Sequence, residues 1–252
     1  MLLAPALRAR LAQARKLVVF SGAGVSQESG LGTFRGPGGL WERFRPEDLA
    51  TPEAFARDPG LVWRWYASRF EAMREARPNP AHLVIARWGG RFPSLVVVTQ
   101  NIDRLHQRAG SRDVLELHGT IWESRCTGCR RTRATVELLA EAGGTLPPLP
   151  CACGGRYRPA VVWFGERLPE QVFARALDEA RSSDALIAVG TSATVWPAAG
   201  LIEEACAAGA LVVEVNREPS ALSGLAAVAL AGAAGEILPA LETELRAWPT
   251  RA

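Results

Sequence analysis

Four of the five cysteines in this chain fall into two close pairs. Cys126 and Cys129 have two residues between them, Cys151 and Cys153 have one, and 21 residues separate the pairs. Four thiolates in two such pairs close a tetrahedral zinc site with no open coordination position, so the metal is structural. Disulfides and a redox-active pair are the alternatives. The lack of an export signal disfavours disulfides. The presence of a second cysteine pair disfavours a redox-active pair. We predict one structural zinc ion.

A histidine that could act as a base follows an apolar run. His118 comes after residues 114–117 and stands directly before a glycine. A neutral imidazole can accept a proton near pH 7, which makes His118 a candidate general base. His106 offers the same chemistry from a predicted helix. A histidine there is more often structural, so both interpretations stay open for His106.

Two amides and a carboxylate follow another apolar run, residues 95–98. They are Gln100, Asn101 and Asp103. One alternative is a cap for the helix that runs through His106. Because one cap does not need three polar groups, we favour a ligand-binding role for the set.

The segment 17–24 runs from an apolar strand into a glycine turn, Gly22-Ala23-Gly24. Such a turn offers backbone N–H groups to a phosphate. It is only part of the dinucleotide fingerprint, because residue 27 is glutamine and no acidic residue follows about 20 positions later. A plain tight turn is the alternative. The glycine-rich stretch 25–41 carries Phe34 and Arg35, which could cover a ligand. We therefore predict a dinucleotide site with a mobile flap.

Tyr66 and Arg69 are three residues apart in a predicted helix, which places them on one face. A phenol and a guanidinium together can bind a carboxylate. The alternative is a tyrosine packed inward and an arginine in solvent.

Alternating apolar strands and helices indicate an α/β fold with a doubly wound, parallel, Rossmann-like sheet. Ligands bind such sheets at the carboxyl ends of the strands, where each of the polar clusters falls. We expect residues 160–164 to return to a strand and residues 196–208 to form a helix. We predict three parts. Residues 1–37, 78–121 and 158–252 form a Rossmann-like domain, residues 38–77 form a helical insertion, and residues 122–157 form a small inserted zinc-binding module.

Composition limits the classes of partner. The 252 residues are 48% hydrophobic with a net charge of +3, and arginines are mixed with acidic residues along the chain. A nucleic-acid binder would show a basic face or stripe. The uncharged run 185–202 contains glycine and proline, so it does not read as a membrane span. We expect a cytoplasmic monomer that binds neither nucleic acid nor membrane.

Several motifs occur together in one order, and the chain resembles the sirtuin family of NAD-dependent protein lysine deacylases over nearly its whole length. Besides the four cysteines, they are GAGVSQESGLGTFRG (22–36), TQNIDRLH (99–106), HG (118–119), RPAVVWFGE (158–166), GTS (190–192) and VN (215–216). The resemblance is to the bacterial branch related to the desuccinylase-type sirtuins. Tyr66 and Arg69 match that branch's Tyr-x-x-Arg motif, and Ala50 matches its small residue in the acyl pocket. Gly32, where many relatives carry proline or arginine, and the short second cysteine pair depart from the pattern.

The resemblance implies removal of acetyl, and of succinyl or malonyl, groups from protein lysines. NAD would be consumed as a co-substrate, giving nicotinamide, 2′-O-acyl-ADP-ribose and free lysine. His118 would take a proton from the ribose hydroxyls, while Asn101 and Asp103 would hold nicotinamide. An NAD-dependent oxidoreductase with a structural zinc, and a zinc-ribbon module that binds nucleic acid or protein, remain rival interpretations.

The resemblance also assigns contacts. The pyrophosphate of NAD would lie on the N–H groups of the 22–24 turn. The residues that would contact NAD are Gly22, Ala23, Gly24, Ser26, Phe34, Arg35, Trp41, Gln100, Asn101, Ile102, Asp103, Gly190, Thr191, Ser192, Asn216, Arg217, Glu218 and Ala234. For the acyl-lysine peptide, which would pair as an added strand along 162–166, they are Ala50, Tyr66, Arg69, Val162, Phe164 and Gly165.

Overall fold

The computed structural model describes residues 2–34 and 39–246, except for the side chain of Arg43. Its first part contains one strand, β1, followed by a short 3-10 helix at Ala23–Ser29 and a run of helices. These elements are α1 (Pro5–Ala12), β1 (Lys16–Ser21), α2 (Leu40–Arg43), α3 (Pro46–Leu49), α4 (Pro52–Arg57), α5 (Pro59–Glu75) and α6 (Pro80–Trp88). Proline in the first turn of α3 to α6 suits a position whose N–H has no helical partner.

The described residues after α6, 89–246, contain eight further strands. The middle part comprises β2 (Ser94–Thr99), α7 (Leu105–Arg108), β3 (Val114–Glu116), β4 (Gly119–Cys126), β5 (Thr132–Ala134), α8 (Thr135–Ala142) and β6 (Tyr157–Val161). The last part comprises α9 (Glu170–Arg181), β7 (Ala185–Val189), α10 (Gly200–Ala207), β8 (Leu211–Asn216), a 3-10 turn at Ser223–Leu225, β9 (Val228–Ala231) and α11 (Ala234–Arg246).

Six strands form one parallel sheet in the order β3-β2-β1-β7-β8-β9. Successive residues of β1 face opposite sides, so that Leu17 and Val19 enter one core and Val18 and Phe20 the other. Helices α1, α6 and α11 cover the first face, and α9 and α10 cover the second. The predicted α/β class with a doubly wound parallel sheet is confirmed.

The carboxyl ends of the central strands lie level with one another. Ser21, at the end of β1, pairs in register with Thr99 of β2 and with Val189 of β7. The segments that follow these strands therefore leave the sheet at the same edge, where ligands bind in parallel sheets.

A second, antiparallel sheet has the order β5-β4-β6. The strand predicted over 160–164 lies three residues earlier in the structure, where β6 covers Tyr157–Val161 and pairs with β4. The apolar character of a run does not indicate which sheet the strand joins. Here Tyr157 and Val161 face a core that is separate from those of the parallel sheet. The boundaries predicted at 121/122 and 157/158 cross the small sheet, and the domain division stays a prediction.

The helical insertion and the cysteine module share this third core. Trp63, Tyr66 and Phe70 of α5 belong to one buried cluster with Ile121 of β4 and Tyr157 of β6. The Trp63 indole N–H donates to the carbonyl of Tyr157 at 2.8 Å. Two segments that are distant in sequence thus form a single small unit beside the parallel sheet.

The predicted helix over 196–208 begins later than expected, at Gly200. Trp196 and Pro197 belong to the loop that precedes it, where the Gly200 N–H donates to the Pro197 carbonyl at 3.1 Å. Within the described ranges, no helix has the combination of length and apolar character required to cross a membrane.

Replacement of Gly190 tests the contact between the ends of β1 and β7. Gly190 has φ +60°, and a Cβ there would lie 2.2 Å from the Val25 nitrogen. We expect Gly190→Ala to lower the free energy of unfolding by roughly 3 kcal/mol, from left-handed strain plus overpacking. Gly209→Ala is the control, because Gly209 has φ +90° but nothing within 4 Å of a Cβ. Its loss should be about 1 kcal/mol. Equal losses in urea unfolding would contradict this account.

Candidate active site

The carboxyl ends of β1, β2, β7 and β8 open into a cleft of about 680 Å³. The small unit forms its other wall through α5 and the segment after β6. Nearly all of the predicted binding and catalytic residues line this cleft. One exception is Ala234, which starts α11 and is buried in the core of the parallel sheet, and its contact with NAD stays a prediction. The other, Arg35, lies outside the described residues.

The glycine turn packs directly against the end of β7. The Gly22 N–H donates to the Val189 carbonyl at 3.1 Å, and the Gly24 N–H donates to the Gly190 carbonyl at 2.8 Å. A Cβ on either glycine would lie within 3 Å of Gly190 atoms. The expectation that all three N–H groups of the turn face a phosphate is therefore wrong. Of the three, we retain only the N–H of Ala23 for that role.

Asn101 and Asp103 are buried next to the turn and are held by several hydrogen bonds. The Ser26 hydroxyl donates to Asp103 Oδ2 at 2.8 Å, and the Leu105 N–H donates to Oδ1 at 2.8 Å. The Asn101 amide donates to the Gly22 carbonyl at 3.1 Å and to Ser26 Oγ at 3.2 Å. Asp103 thus supports the start of α7, as a cap would, and also lines the cleft.

The ionisation of Asp103 is set by opposing influences. Burial raises the pKa of Asp103, while the hydrogen bonds from Leu105 and Ser26 and the positive charge of Arg69 lower it in part. The result is a fixed polar pocket of one amide and one carboxyl group. Such a pair can recognise a carboxamide, which both donates and accepts hydrogen bonds.

His118 has the geometry of a base with one free nitrogen. Its Nδ1 lies 2.9 Å from the Gln100 carbonyl. A carbonyl only accepts, so Nδ1 carries the proton and the lone pair of Nε2 is left to receive another. Burial lowers the pKa of His118, opposed by the hydrogen bond to Gln100. The imidazole is therefore neutral near pH 7, as a base requires.

His106 has a structural role. It is buried away from the cleft, with Nε2 2.8 Å from Ser21 Oγ, and its ring packs 4.8 Å from that of His82. Burial holds the pKa of His106 well below its ordinary value. Of the two interpretations open for this residue, the structure supports the structural one.

Tyr66 and Arg69 both line the cleft beside Ala50. The Tyr66 hydroxyl accepts a hydrogen bond from the Trp163 indole at 2.9 Å. The Arg69 guanidinium lies over two rings, at 4.7 Å from Phe34 and 5.1 Å from Trp65. These contacts use its charge and leave its N–H donors free.

Arg69 has no anionic partner at ion-pair distance among the residues that the structure describes. Its Nε is buried without a hydrogen bond. Burial lowers the pKa of Arg69 to about 10, so the guanidinium remains charged at pH 7. The site can therefore take a small carboxylate from outside the chain.

The segment 162–166 offers less backbone than an added strand would use. The N–H groups of Val162 and Phe164 donate to the carbonyls of His118 and Ala50, both at 2.9 Å. Trp163 donates its N–H to the Glu166 carboxylate at 2.8 Å, and Glu166 donates its own to the Trp163 carbonyl. Pairing with a peptide along this segment is thus limited to the Gly165 N–H and to free carbonyl groups.

The far end of the cleft is ordered by two amides. The Asn216 amide donates to the Thr191 carbonyl at 2.7 Å, and the Gln100 amide donates to the Thr191 hydroxyl at 2.9 Å. Arg217 and Glu218 are exposed at this end.

Sequence reasoning missed Trp65 and Trp196, which also line the cleft. Trp65 stacks on Trp41 at 5.8 Å and meets Tyr66 edge-on at 4.6 Å. The available signal was their position, since Trp65 directly precedes Tyr66 and Trp196 follows the GTS turn by only a few residues.

The four paired cysteines converge on one point in the small unit. Their sulfur atoms all lie within 4.8 Å of one another, with Cys126 and Cys153 at 3.5 Å and Cys129 and Cys151 at 3.7 Å. Zinc–sulfur bonds of about 2.3 Å in a tetrahedron place sulfurs about 3.8 Å apart, which fits this cluster. The short second pair reaches the first because Gly155 lacks a side chain, and a Cβ there would lie 2.6 Å from Cys126 Sγ. The cluster can hold one zinc ion.

Metal removal tests this cluster. We expect the purified protein to contain one zinc ion per chain, and a chelator to lower its unfolding temperature by weakening the small unit. Cys129→Ser should have the same effect, because it removes one ligand. Cys206→Ser is the matched control, since Cys206 lies outside the cluster. A zinc-free protein with an unchanged unfolding temperature would exclude a structural metal.

Comparisons with known proteins place the chain among related sequences. The model of the Sir2 family matches residues 22–197. An NAD-dependent protein deacylase 2 from Pyrobaculum aerophilum is 54% identical over 236 residues, which cover 94% of this chain and 93% of that protein. An NAD-dependent protein deacylase 1 from the bacterium Pseudomonas aeruginosa is 50% identical over 244 residues, with coverage of 95% and 97%.

Solved structures agree with this relationship. A mutant Sir2 homologue in complex with ADP-ribose superposes with a TM-score of 0.90 at 44% identity, covering 97% of both chains. A Sir2 structure with a p53 peptide and NAD+ gives a TM-score of 0.87 at 29% identity, covering 97% of this chain and 99% of that one. The match extends over the parallel sheet, the small unit and the cleft, and this chain belongs to the Sir2 family.

Proposed function

We propose that this chain is an NAD-dependent deacylase of protein lysine side chains, giving nicotinamide, 2′-O-acyl-ADP-ribose and free lysine. One observation carries the proposal. A neutral His118 with a free Nε2 lines the same cleft as the buried pair Asn101 and Asp103 and the glycine turn. The names of the relatives from Pyrobaculum and Pseudomonas support it.

Different residues of the cleft have different roles in this reaction. NAD supplies a sugar carbon whose bond to nicotinamide can break, so that the acyl oxygen of the substrate can replace it. Asn101 and Asp103 would bind the carboxamide, and the Ala23 N–H would be available to the phosphates. His118 accepts a proton from a ribose hydroxyl at Nε2, and the Gln100 carbonyl stabilises the charged ring through Nδ1–H.

Four aromatic rings form one wall of the cleft, and they would help to exclude water once the substrates are bound. Phe34 and Trp41 lie 5.3 Å apart, and Trp41 packs against Trp65 at 5.8 Å and Phe164 at 6.2 Å. The Trp41 N–H also donates to the Phe34 carbonyl at 3.0 Å. Exclusion of water favours acyl transfer to the ribose over hydrolysis of a reactive intermediate.

The rival functions use fewer of these features. An oxidoreductase would transfer hydride to or from NAD, and the residues 22–27 lack the third glycine of the dinucleotide fingerprint. A zinc module that only binds nucleic acid or protein leaves the cleft residues without a role.

We also propose that the protein acts as a cytoplasmic monomer on acylated proteins, without nucleic acid or membrane. Its mixed surface charge is consistent with this.

The acyl range extends to acidic groups, on the strength of Tyr66, Arg69 and Ala50. The Arg69 guanidinium lines the cleft, and among the described residues its buried Nε has no hydrogen-bond partner and no carboxylate lies at ion-pair distance. A succinyl or malonyl carboxylate would provide that partner, with the small Ala50 leaving room beside it. Acetyl groups fit the same pocket without this contact.

Replacement of His118 tests the base. We expect His118→Ala to reduce kcat by at least about 100-fold, because positioned proton transfer contributes this much. Circular dichroism should show an intact fold, and His118→Gln should be equally inactive although its amide can hydrogen-bond. Activity that stays above a few per cent in both variants would rule out His118 as the base.

The pH profile gives a second test of this residue. The pKa of His118 is lowered, so the free base forms as pH rises through a value below 6.5. We expect kcat/KM to rise with pH below 6.5 and to level off at neutral pH. An acidic limb centred above pH 7 would contradict the assignment.

Arg69→Met tests the acyl preference. We expect kcat/KM on a succinylated peptide to fall roughly 10- to 100-fold, since a charge-assisted hydrogen bond is lost. On an acetylated peptide the change should stay within about threefold. Arg64→Met is the control, as Arg64 is an exposed arginine on the same helix α5. Equal losses on both peptides would contradict the role of Arg69.

A further inference from the structure

A second cavity, of about 290 Å³, lies between α4 and the small antiparallel sheet, and we call it the outer cavity. It is separate from the cleft, since among the described residues only Trp163 lines both. Its volume is near the lower limit for ligand pockets, so it suits one ring system rather than a long chain. The lining residues that bear on its chemistry are Phe55, Ala56, Thr127, Arg156, Arg158 and Trp163.

Two aromatic rings form an apolar wall of the outer cavity. The rings of Phe55 and Trp163 lie 5.4 Å apart, with 45° between their planes. Both side chains are buried in the core of the small unit, which fixes their positions before a ligand arrives. Ala56 also lines the cavity and is exposed, so the wall can be reached from solvent. A flat apolar ligand would therefore leave water against this wall at little cost in protein order.

The polar side of the outer cavity is cationic. Arg156 is exposed, and its guanidinium makes no hydrogen bond or ion pair with the residues that the structure describes. Arg158 is already engaged, because Glu166 binds it with two hydrogen bonds, at 2.6 and 2.9 Å, and balances its charge. None of the described residues that line the cavity is acidic. The cavity thus presents the free positive charge of Arg156 beside two aromatic rings.

The small sheet places a further arginine close to these two. Arg125 of β4 lies opposite Arg158 of β6, so their side chains project from the same face of the sheet. The Thr127 N–H donates to the Arg156 carbonyl at 2.9 Å, and the Arg156 N–H donates to Thr127 Oγ1 at 3.1 Å, so the pairing continues to Arg156. Like charges directly across a sheet are destabilising. Three arginines with one carboxylate, that of Glu166, leave an excess of positive charge that a bound anion would balance.

We propose that the outer cavity binds a small aromatic carboxylate, with the ring against Phe55 and Trp163 and the carboxylate on Arg156. A guanidinium holds a carboxylate with two parallel hydrogen bonds, and its plane suits a planar acid. The inference goes beyond the proposed function and does not depend on it. The Trp163 indole N–H donates to the Tyr66 hydroxyl at 2.9 Å, so a ligand in the outer cavity contacts a residue that also contacts the acyl pocket.

Naphthoate is the probe, because it combines one flat ring system with one carboxylate. It is added to the unaltered protein without NAD, and the Trp163 indole N–H resonance, identified with Trp163→Phe, is followed by NMR. We expect a saturable shift with a Kd of about 0.1 to 1 mM, an affinity within reach of a ligand of this size. Naphthamide has the same shape without the charge and should bind at least about fivefold more weakly. Added salt should weaken only the binding of naphthoate.

Two substitutions of exposed residues test the location. Ala56→Trp fills the mouth of the cavity and should raise the Kd for naphthoate at least about tenfold. Arg156→Gln removes the charge and should raise this Kd roughly three- to tenfold, since an exposed charge pair is weak. Ala207→Trp and Arg64→Gln are the matched controls, because these residues are exposed on α10 and α5 and line neither the outer cavity nor the cleft. All four variants should keep their unfolding temperature, because the replaced side chains are exposed.

Arg69→Met separates the outer cavity from the cleft, where Arg69 could also take a carboxylate. The Kd for naphthoate should stay within about twofold in this variant, and a loss of binding would place the probe in the cleft and overturn the proposal. Equal affinity for naphthamide would remove the anion from the ligand class. Unchanged binding in Ala56→Trp, or no saturable shift up to about 10 mM naphthoate, would exclude the outer cavity as a ligand site. The test uses no deacylation, so a failure of the proposed function leaves its result intact.

Discussion

The contact between two backbone segments, the glycine turn after β1 and the end of β7, is the constraint on which the cleft depends. The Gly24 N–H donates to the Gly190 carbonyl at 2.8 Å, and the space between these residues admits no side chain. The contact fixes the start of the 3-10 helix that carries Ser26. Ser26 in turn hydrogen-bonds to both Asn101 and Asp103. The polar pocket is therefore built from residues on two adjacent strand ends, β1 and β2.

The opposite wall depends on a charge pair in the small unit, in which Arg158 is buried and Glu166 is half-buried. Arg158 is 7% exposed and binds Glu166 at two positions, and its guanidinium lies 3.3 Å from the centre of the Trp163 ring. Glu166 accepts the backbone N–H of Trp163, whose indole donates to Tyr66. Removal of either partner of such a pair is costly, because the other charge is left without compensation. This one positions both the acyl pocket and the segment 162–166.

Much of the parallel sheet could be predicted, because runs such as 95–98 and 185–189 are apolar and end in polar clusters. The convergence of those clusters followed from the rule for parallel strand ends. The sheet joined by 157–161 could not be predicted, since its partner β4 is set by a core shared with α5. The hydrogen bonds of the Gly22 and Gly24 N–H groups could not be predicted either, because their acceptors lie more than 160 residues away in sequence. The exposure of Trp196 likewise depends on where α10 begins.

Deacylation with consumption of NAD has a definite mass balance, which can be measured. An acetylated and a succinylated peptide are each incubated with NAD, and all products are quantified by mass spectrometry. We expect equal amounts of nicotinamide, free-lysine peptide and O-acyl-ADP-ribose. Formation of reduced NAD, or release of the free acid with NAD left intact, would contradict it.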